Sequence, residues 1–193
     1  MATILEAVIS DHAEMSNWFG PNSFSVKTSR YDDIKNGVDM VIEFVEDNSA
    51  SHLALGIDVT FSPRLDKNFQ RIKGEIEQGQ LAKIKYFRSE ALNFRGELTN
   101  LPRFVIMVDN KTAQNLAKLW FQGENNKLGE HFVQLQILSQ ILIQAELFSR
   151  YAQKIGKINI AKTYQKVKEI IKPIFQEKIE FFKNKLDETK KAT

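Results

Sequence analysis

Cysteine is absent from this sequence, which excludes a disulfide framework and any thiolate-held metal. Histidine is scarce: His12, His52 and His131 show no H-x-x-x-H or H-E-x-x-H spacing, so a metal would depend mainly on oxygen ligands. The nine glycines form no phosphate-cradling loop, and G-x-S-x-G does not occur, so neither nucleotide binding nor a serine-hydrolase elbow is expected. The most apolar stretch, 137–148, is broken by Ser139, Gln140, Gln144 and Glu146, which leaves no membrane span. The first residues carry no basic segment followed by an apolar one. No secretory signal is therefore expected, and the expected compartment is the cytoplasm.

What is present is the composition of a globular protein. Of 193 residues, 42% are hydrophobic and 26% charged, enough for one domain with a substantial core. The net charge of +3 is uneven: residues 161–193 hold nine lysines against five acids, a net +4 that leaves −1 for everything before them. A solvated lysine-rich helix face accounts for this, and contact with a phosphate backbone is compatible with it.

Apolar spacing predicts a helix over 3–19, stopped by Gly20-Pro21. Strand character follows at 38–45 and 53–61, joined across the polar segment 46–51 as a hairpin. A charged helix is expected over 63–80, strands over 81–88 and 103–109, and a helix from a cap at Asp109 or Asn110 to 121. Two long apolar stripes beyond 126 predict a helical hairpin, kinked or split at Pro173. The expected architecture is α/β, a small mixed central sheet flanked by helices. Residues 1–125 form the core in this reading. Residues 126–193 form the hairpin, packed on that core or used for homodimerisation.

Two carboxylates stand at strand positions. Asp39 follows Asn36-Gly37-Val38, and Asp58 interrupts the apolar run Ile57-Asp58-Val59. As hairpin partners they would sit on adjacent strands near one end, where two like charges repel unless a cation lies between them. Magnesium or manganese suits such oxygen ligands; aspartates capping turns or binding lysines are the competing reading. Asp32 and Asp33 read as a turn or short helix entry, Glu43 as a solvated residue, and His12 as a packed one.

In these residues the sequence resembles the PD-(D/E)xK (restriction-endonuclease-like) nuclease superfamily. Its pattern is a helix, G-x-D opening a strand, an acid followed by x-Lys on the next strand, then a helix and a strand. Gly37-Val38-Asp39 looks like the first element and Ile57-Asp58-Val59-Thr60 like the second; the likeness spans about residues 1–110. It implies metal-dependent hydrolysis of phosphodiester bonds, in DNA before RNA. Asp39, Asp58 and the Val59 carbonyl would be the metal ligands, completed by a glutamate of the first helix, Glu14 or Glu6. The sequence departs from the pattern at Thr60, which stands where the family has its lysine. A threonine hydroxyl can hold a water but brings no positive charge. Lys85, or Lys83 on the same strand face, is the expected substitute. Without one, the implied function is a catalytically silent binding or assembly module acting through the C-terminal helices.

Overall fold

A computed structural model describes residues 2–46, 49–58 and 64–191. The first helix, α1 (Ala2–Met15), buries Leu5, Val8, Ile9 and Ala13 at helical spacing. It is followed by a short strand, β1 (Ser23–Lys27), where the sequence reads as a polar connection. The serines that disguise this strand are inward-facing and bonded: Ser25 Oγ donates to the Ser10 carbonyl at 3.1 Å, and Ser23 Oγ to the Gly20 carbonyl at 2.8 Å. A buried hydroxyl is tolerated when it is hydrogen-bonded in this way.

Next comes α2 (Arg30–Asn36), capped by Ser29 at its start and by left-handed Gly37 (φ 60°) at its end. The hairpin is β2 (Met40–Glu46) and β3 (Ser49–Asp58), paired antiparallel from Met40↔Leu55 to Glu46↔Ser49. The strands thus extend closer to the turn than expected, and Asp39 lies just before β2 rather than within it. After α3 (Arg64–Gln78) come β4 (Ala82–Arg88), β5 (Arg95–Leu101) and β6 (Arg103–Met107). β5 carries no clear strand signal, because one side of it is solvated and its register is broken by irregularities. The chain ends in α4 (Asn110–Phe121), the short α5 (Asn125–Gly129), α6 (Val133–Lys154) and α7 (Ile158–Lys191). Asp109 is the cap of α4, its Oδ1 accepting from the Thr112 amide at 2.9 Å.

This is a mixed α/β fold. The main sheet runs β1-β2-β3-β6, with β3 and β6 parallel and the other pairs antiparallel. The strand at 81–88 does not join it but forms a separate two-stranded sheet with β5. One face of the main sheet (Met40, Ile42, Phe44, Leu53, Phe104) shares a core with α1, α6 and α7. The other face, through Val26, Val38 and Val41, packs on Ala82, Ile84, Phe87 and Leu101 of β4 and β5.

Helix side chains close the two outer edges of the sheet. On β1, Glu14 Oε1 accepts from the Ser25 amide at 3.2 Å. On β6, Gln144 both accepts from the Val105 amide (2.9 Å) and donates to the Val105 carbonyl (2.8 Å), and Gln140 does the same at Met107 (2.8 and 2.9 Å). A helix rises about 6 Å over four residues and a strand about 6.6 Å over two. Glutamines four apart therefore match strand residues two apart and satisfy edge groups that would otherwise invite another strand.

α7 is continuous through Pro173 rather than split there. Pro173 has no amide to offer the Glu169 carbonyl, but both residues are exposed, so water can serve the freed group. Among the described residues no helix is long and apolar enough to cross a membrane.

Candidate functional site

The segment leading into Asp39 is fixed carbonyl by carbonyl. Arg71 Nη2 donates to the Lys35 carbonyl at 2.6 Å. Arg103 Nη1 donates to the carbonyls of Asn36 and Gly37, the latter at 3.0 Å. Thr28 Oγ1 donates to the Val38 carbonyl at 2.5 Å, and both Thr28 Oγ1 and its amide reach the Asp39 carbonyl at 3.2 Å. Five consecutive carbonyls, 35–39, are thus held by three residues, from α3, from β6 and from the position just after β1. Fixing each residue of a loop costs about 1–2 kcal/mol of backbone entropy; held this way, Asp39 starts from a preset backbone.

Gly37 is required in this loop on two grounds. Its φ of 60° is the left-handed region, and a Cβ there would meet Arg71 Nη1 at 2.5 Å and Arg103 Nη1 at 3.3 Å. Arg103 is buried and also donates to Glu75 Oε1 at 2.9 Å. Burial lowers the Arg103 pKa, against the attraction of Glu75. Burial also raises the Glu75 carboxyl, while Arg103 and Arg71 pull it back.

The strand register brings Asp39 and Asp58 to the same end of the hairpin. One step beyond Met40↔Leu55, position 39 falls opposite 56, and Asp58 is two residues further along β3, opposite Met107 of β6. Asp58 is described through its backbone; Val59 and Thr60 lie outside the described residues. Of the two glutamates on α1, Glu14 is committed to Ser25 at the sheet edge. Glu6 lies one end of the helix away, its carboxyl raised by burial and by Asp33 and lowered by Lys27. Lys27 is the strand partner of Met40, so Glu6 is the glutamate at the Asp39 end.

Lys85 points elsewhere. Its Nζ sits 5.4 Å from the Tyr31 ring and 5.1 Å from the Tyr86 ring, a cation–π arrangement on the outside of the β4–β5 sheet. Lys83 pairs with Glu97 at 2.8 Å. The arginines at the Gly37 turn carry no family signature in sequence; the basic and acidic i,i+4 pair Arg71 and Glu75 on α3 was the available signal.

Two other acids are structural. Asp32, read from sequence as part of a turn or short helix entry, lies in the first turn of α2; it is buried and accepts from the Lys85 and Tyr86 amides (2.9 and 3.1 Å) and from Asn36 Nδ2 (2.7 Å). It fills an irregularity in β4 and ties α2 to that strand. The motif Ser29-x-x-Asp32 is a capping signature that announces this helix. Glu43, expected to be solvated, is instead buried under the β4–β5 connection. It contacts Ser89 Oγ (2.8 Å), His52 Nε2 (3.0 Å) and the Ala91 amide (3.4 Å). Ser89 Oγ in turn accepts from the Leu92 amide at 2.7 Å, so this serine organises a turn and shows no contact to the His52 ring that would activate it. His12 is packed as expected, stacked on Trp18 with centroids 5.5 Å apart.

Among the described residues no three histidine, aspartate or glutamate side chains gather as a metal cluster. Comparison with known families, characterised proteins and solved structures finds no match to this chain.

Proposed function

We propose that the Asp39–Asp58 end of the hairpin is a divalent-metal site that hydrolyses phosphodiester bonds in nucleic acid, DNA before RNA. The observation that carries the reading is the loop 35–39. Two arginines and a threonine hold five consecutive carbonyls there, at the end of the sheet where the register also puts Asp58. The donor chemistry fits a hard cation, since it is all oxygen: Asp39, Asp58, the Val59 carbonyl and Glu6, whose half-buried carboxyl near Asp33 is of the kind a cation relieves. A bound Mg²⁺ or Mn²⁺ would acidify a coordinated water and offset charge on a phosphate oxygen. Arg71, partly exposed beside Gly37, is the cation we assign to the phosphate in place of the family lysine, with Thr60 holding water and Lys85 left to the outer tyrosines.

The test is thermal unfolding of wild type, Asp58→Ala and Asp39→Asn with Mg²⁺ and Mn²⁺, alongside nicking of plasmid and single-stranded DNA. Metal at about a hundred times its Kd stabilises by about 2.7 kcal/mol, roughly 5–10 °C for a chain of this size. Wild type should gain this and both variants should not. An equal gain in Asp58→Ala removes the site, and equal cutting by that variant identifies a contaminant.

Thr60, in place of a lysine, favours a second reading, a metal-binding fold that does not cut. It predicts the metal-dependent rise without nicking.

A further inference from the structure

α7 outlasts its own support. It runs back along α6, as the contacts Ser149 to Ala161, Lys168 to Glu146 and Phe132 to Phe182 show. Ile171 is the last fully buried side chain of α7 among the described residues. Beyond it the helix continues for twenty residues to Lys191. The apolar spacing does not stop at Ile171: Phe175, Ile179, Phe182 and Leu186 keep the 4-3-4 interval of a coiled-coil seam. With Leu135 of α6 and Phe132, the residue before that helix, they line an open groove of about 480 Å³, in which Phe132 is 58% and Leu186 62% exposed. From Phe175 to Leu186 the groove is about 16 Å long, three helical turns.

The charge along this groove is one-sided. Its α6 wall offers Gln136 and Ser139, which are neutral, and its α7 wall offers Lys183. Lys190, seven residues on, repeats the position of Lys183 and is also exposed. At 3.6 residues per turn, Glu177 falls opposite the seam, while Glu180 and Asp187 lie about a third of a turn from it, further round the helix than Lys183 and Lys190. A second copy of α7 laid antiparallel in the groove would bring its own Lys183 and Lys190 against these lysines, and laid parallel its Lys178 and Lys185, so like charges oppose self-association in both directions.

We propose that this groove docks an amphipathic helix from another protein, with an apolar stripe of about three turns flanked by acidic residues. Helix-in-groove recognition needs such i, i+3, i+4, i+7 anchors, and the lysine edge selects the acidic flank.

The probe is a fluorescein-labelled eighteen-residue designed helix with leucine at a and d and glutamate at e and g, titrated against the full chain by anisotropy. Its twin carries lysine at e and g. Saturable binding is expected at ~50 mM salt, weakened at least threefold at ~500 mM as the screening length shortens, and at least tenfold weaker for the lysine twin. Leu186→Asp, at an exposed position, should lose tenfold or more with an unchanged unfolding midpoint. Lys183→Glu should narrow or invert the preference between the two peptides. Equal binding of the twins, or no saturation with the glutamate peptide, overturns the proposal. So does a concentration-dependent dimer in sedimentation that Leu186→Asp dissociates, since the groove would then be a self-interface.

Discussion

Replacing Gln144 by leucine should cost the fold about 2–4 kcal/mol. The side chain is buried, and both ends of its amide engage one residue of β6, at 2.9 Å to the Val105 amide and 2.8 Å to its carbonyl. Leucine has nearly the same volume, so little packing is lost. What remains is an amide and a carbonyl with no partner, each costing about 1–3 kcal/mol when buried, offset in part by the gain from an apolar side chain. Against a typical total of about 5–15 kcal/mol, this is a large fraction. Urea unfolding at pH 7 should show it as a lower midpoint with unchanged slope.

Gln144→Glu gives the complementary result. A carboxylate cannot donate to the Val105 carbonyl, so this variant should be the worse of the two at pH 7; once protonated, its hydroxyl can donate. Its folded pKa lies above the unfolded value of about 4.3. Its deficit relative to wild type should therefore shrink as pH falls toward 4.5 and grow as pH rises through the folded pKa. A loss below about 1 kcal/mol for Gln144→Leu, or a pH-independent deficit for Gln144→Glu, would refute the claim that this clasp holds the β6 edge. Because β6 runs beside β3 up to Asp58, the same variant should also weaken any metal response.

Gly37→Ala should lose about 1–2 kcal/mol, because alanine resists φ 60° and its methyl displaces Arg71 from the Lys35 carbonyl; denaturant midpoints measure it. Arg103→Met should cost about 3–5 kcal/mol by stranding Glu75 and two loop carbonyls, and adding Glu75→Gln should restore part of the loss in a double-mutant cycle. Burial holds the His12 pKa below its ordinary value, against the pull of Asp11, so the unfolded chain takes up a proton near pH 6.5 that the folded chain refuses. Stability should accordingly be full above about pH 7 and decline as pH falls through 6.5 toward the folded pKa. His12→Phe, which keeps the stack on Trp18, should flatten that slope between pH 7 and 5; an unchanged slope would place the titration elsewhere.

Several features follow from local sequence. The helix at the start, the hairpin strands, the cap at Asp109 and the long C-terminal stripes are dictated by apolar spacing and turn chemistry, which act over a few residues. The pairing of β2 with β3 follows from their proximity, and with it the shared end of Asp39 and Asp58.

Tertiary structure decided what depends on distant partners. The serines of β1 read as loop until α1 supplies their acceptors. Gln140 and Gln144 read as interruptions of an apolar run until β6 turns them into an edge cover. Asp32 and Glu43 carry the same carboxylate as Asp39, and nothing local distinguishes them; it is the amides of β4 and the hydroxyl of Ser89, some fifty residues away, that assign them to structure. The 81–88 strand has strand character wherever it pairs, so only packing could remove it from the main sheet, and Lys85 with it. Alternation and capping are properties of neighbours in the chain, whereas the partner of a buried polar group is chosen by the fold.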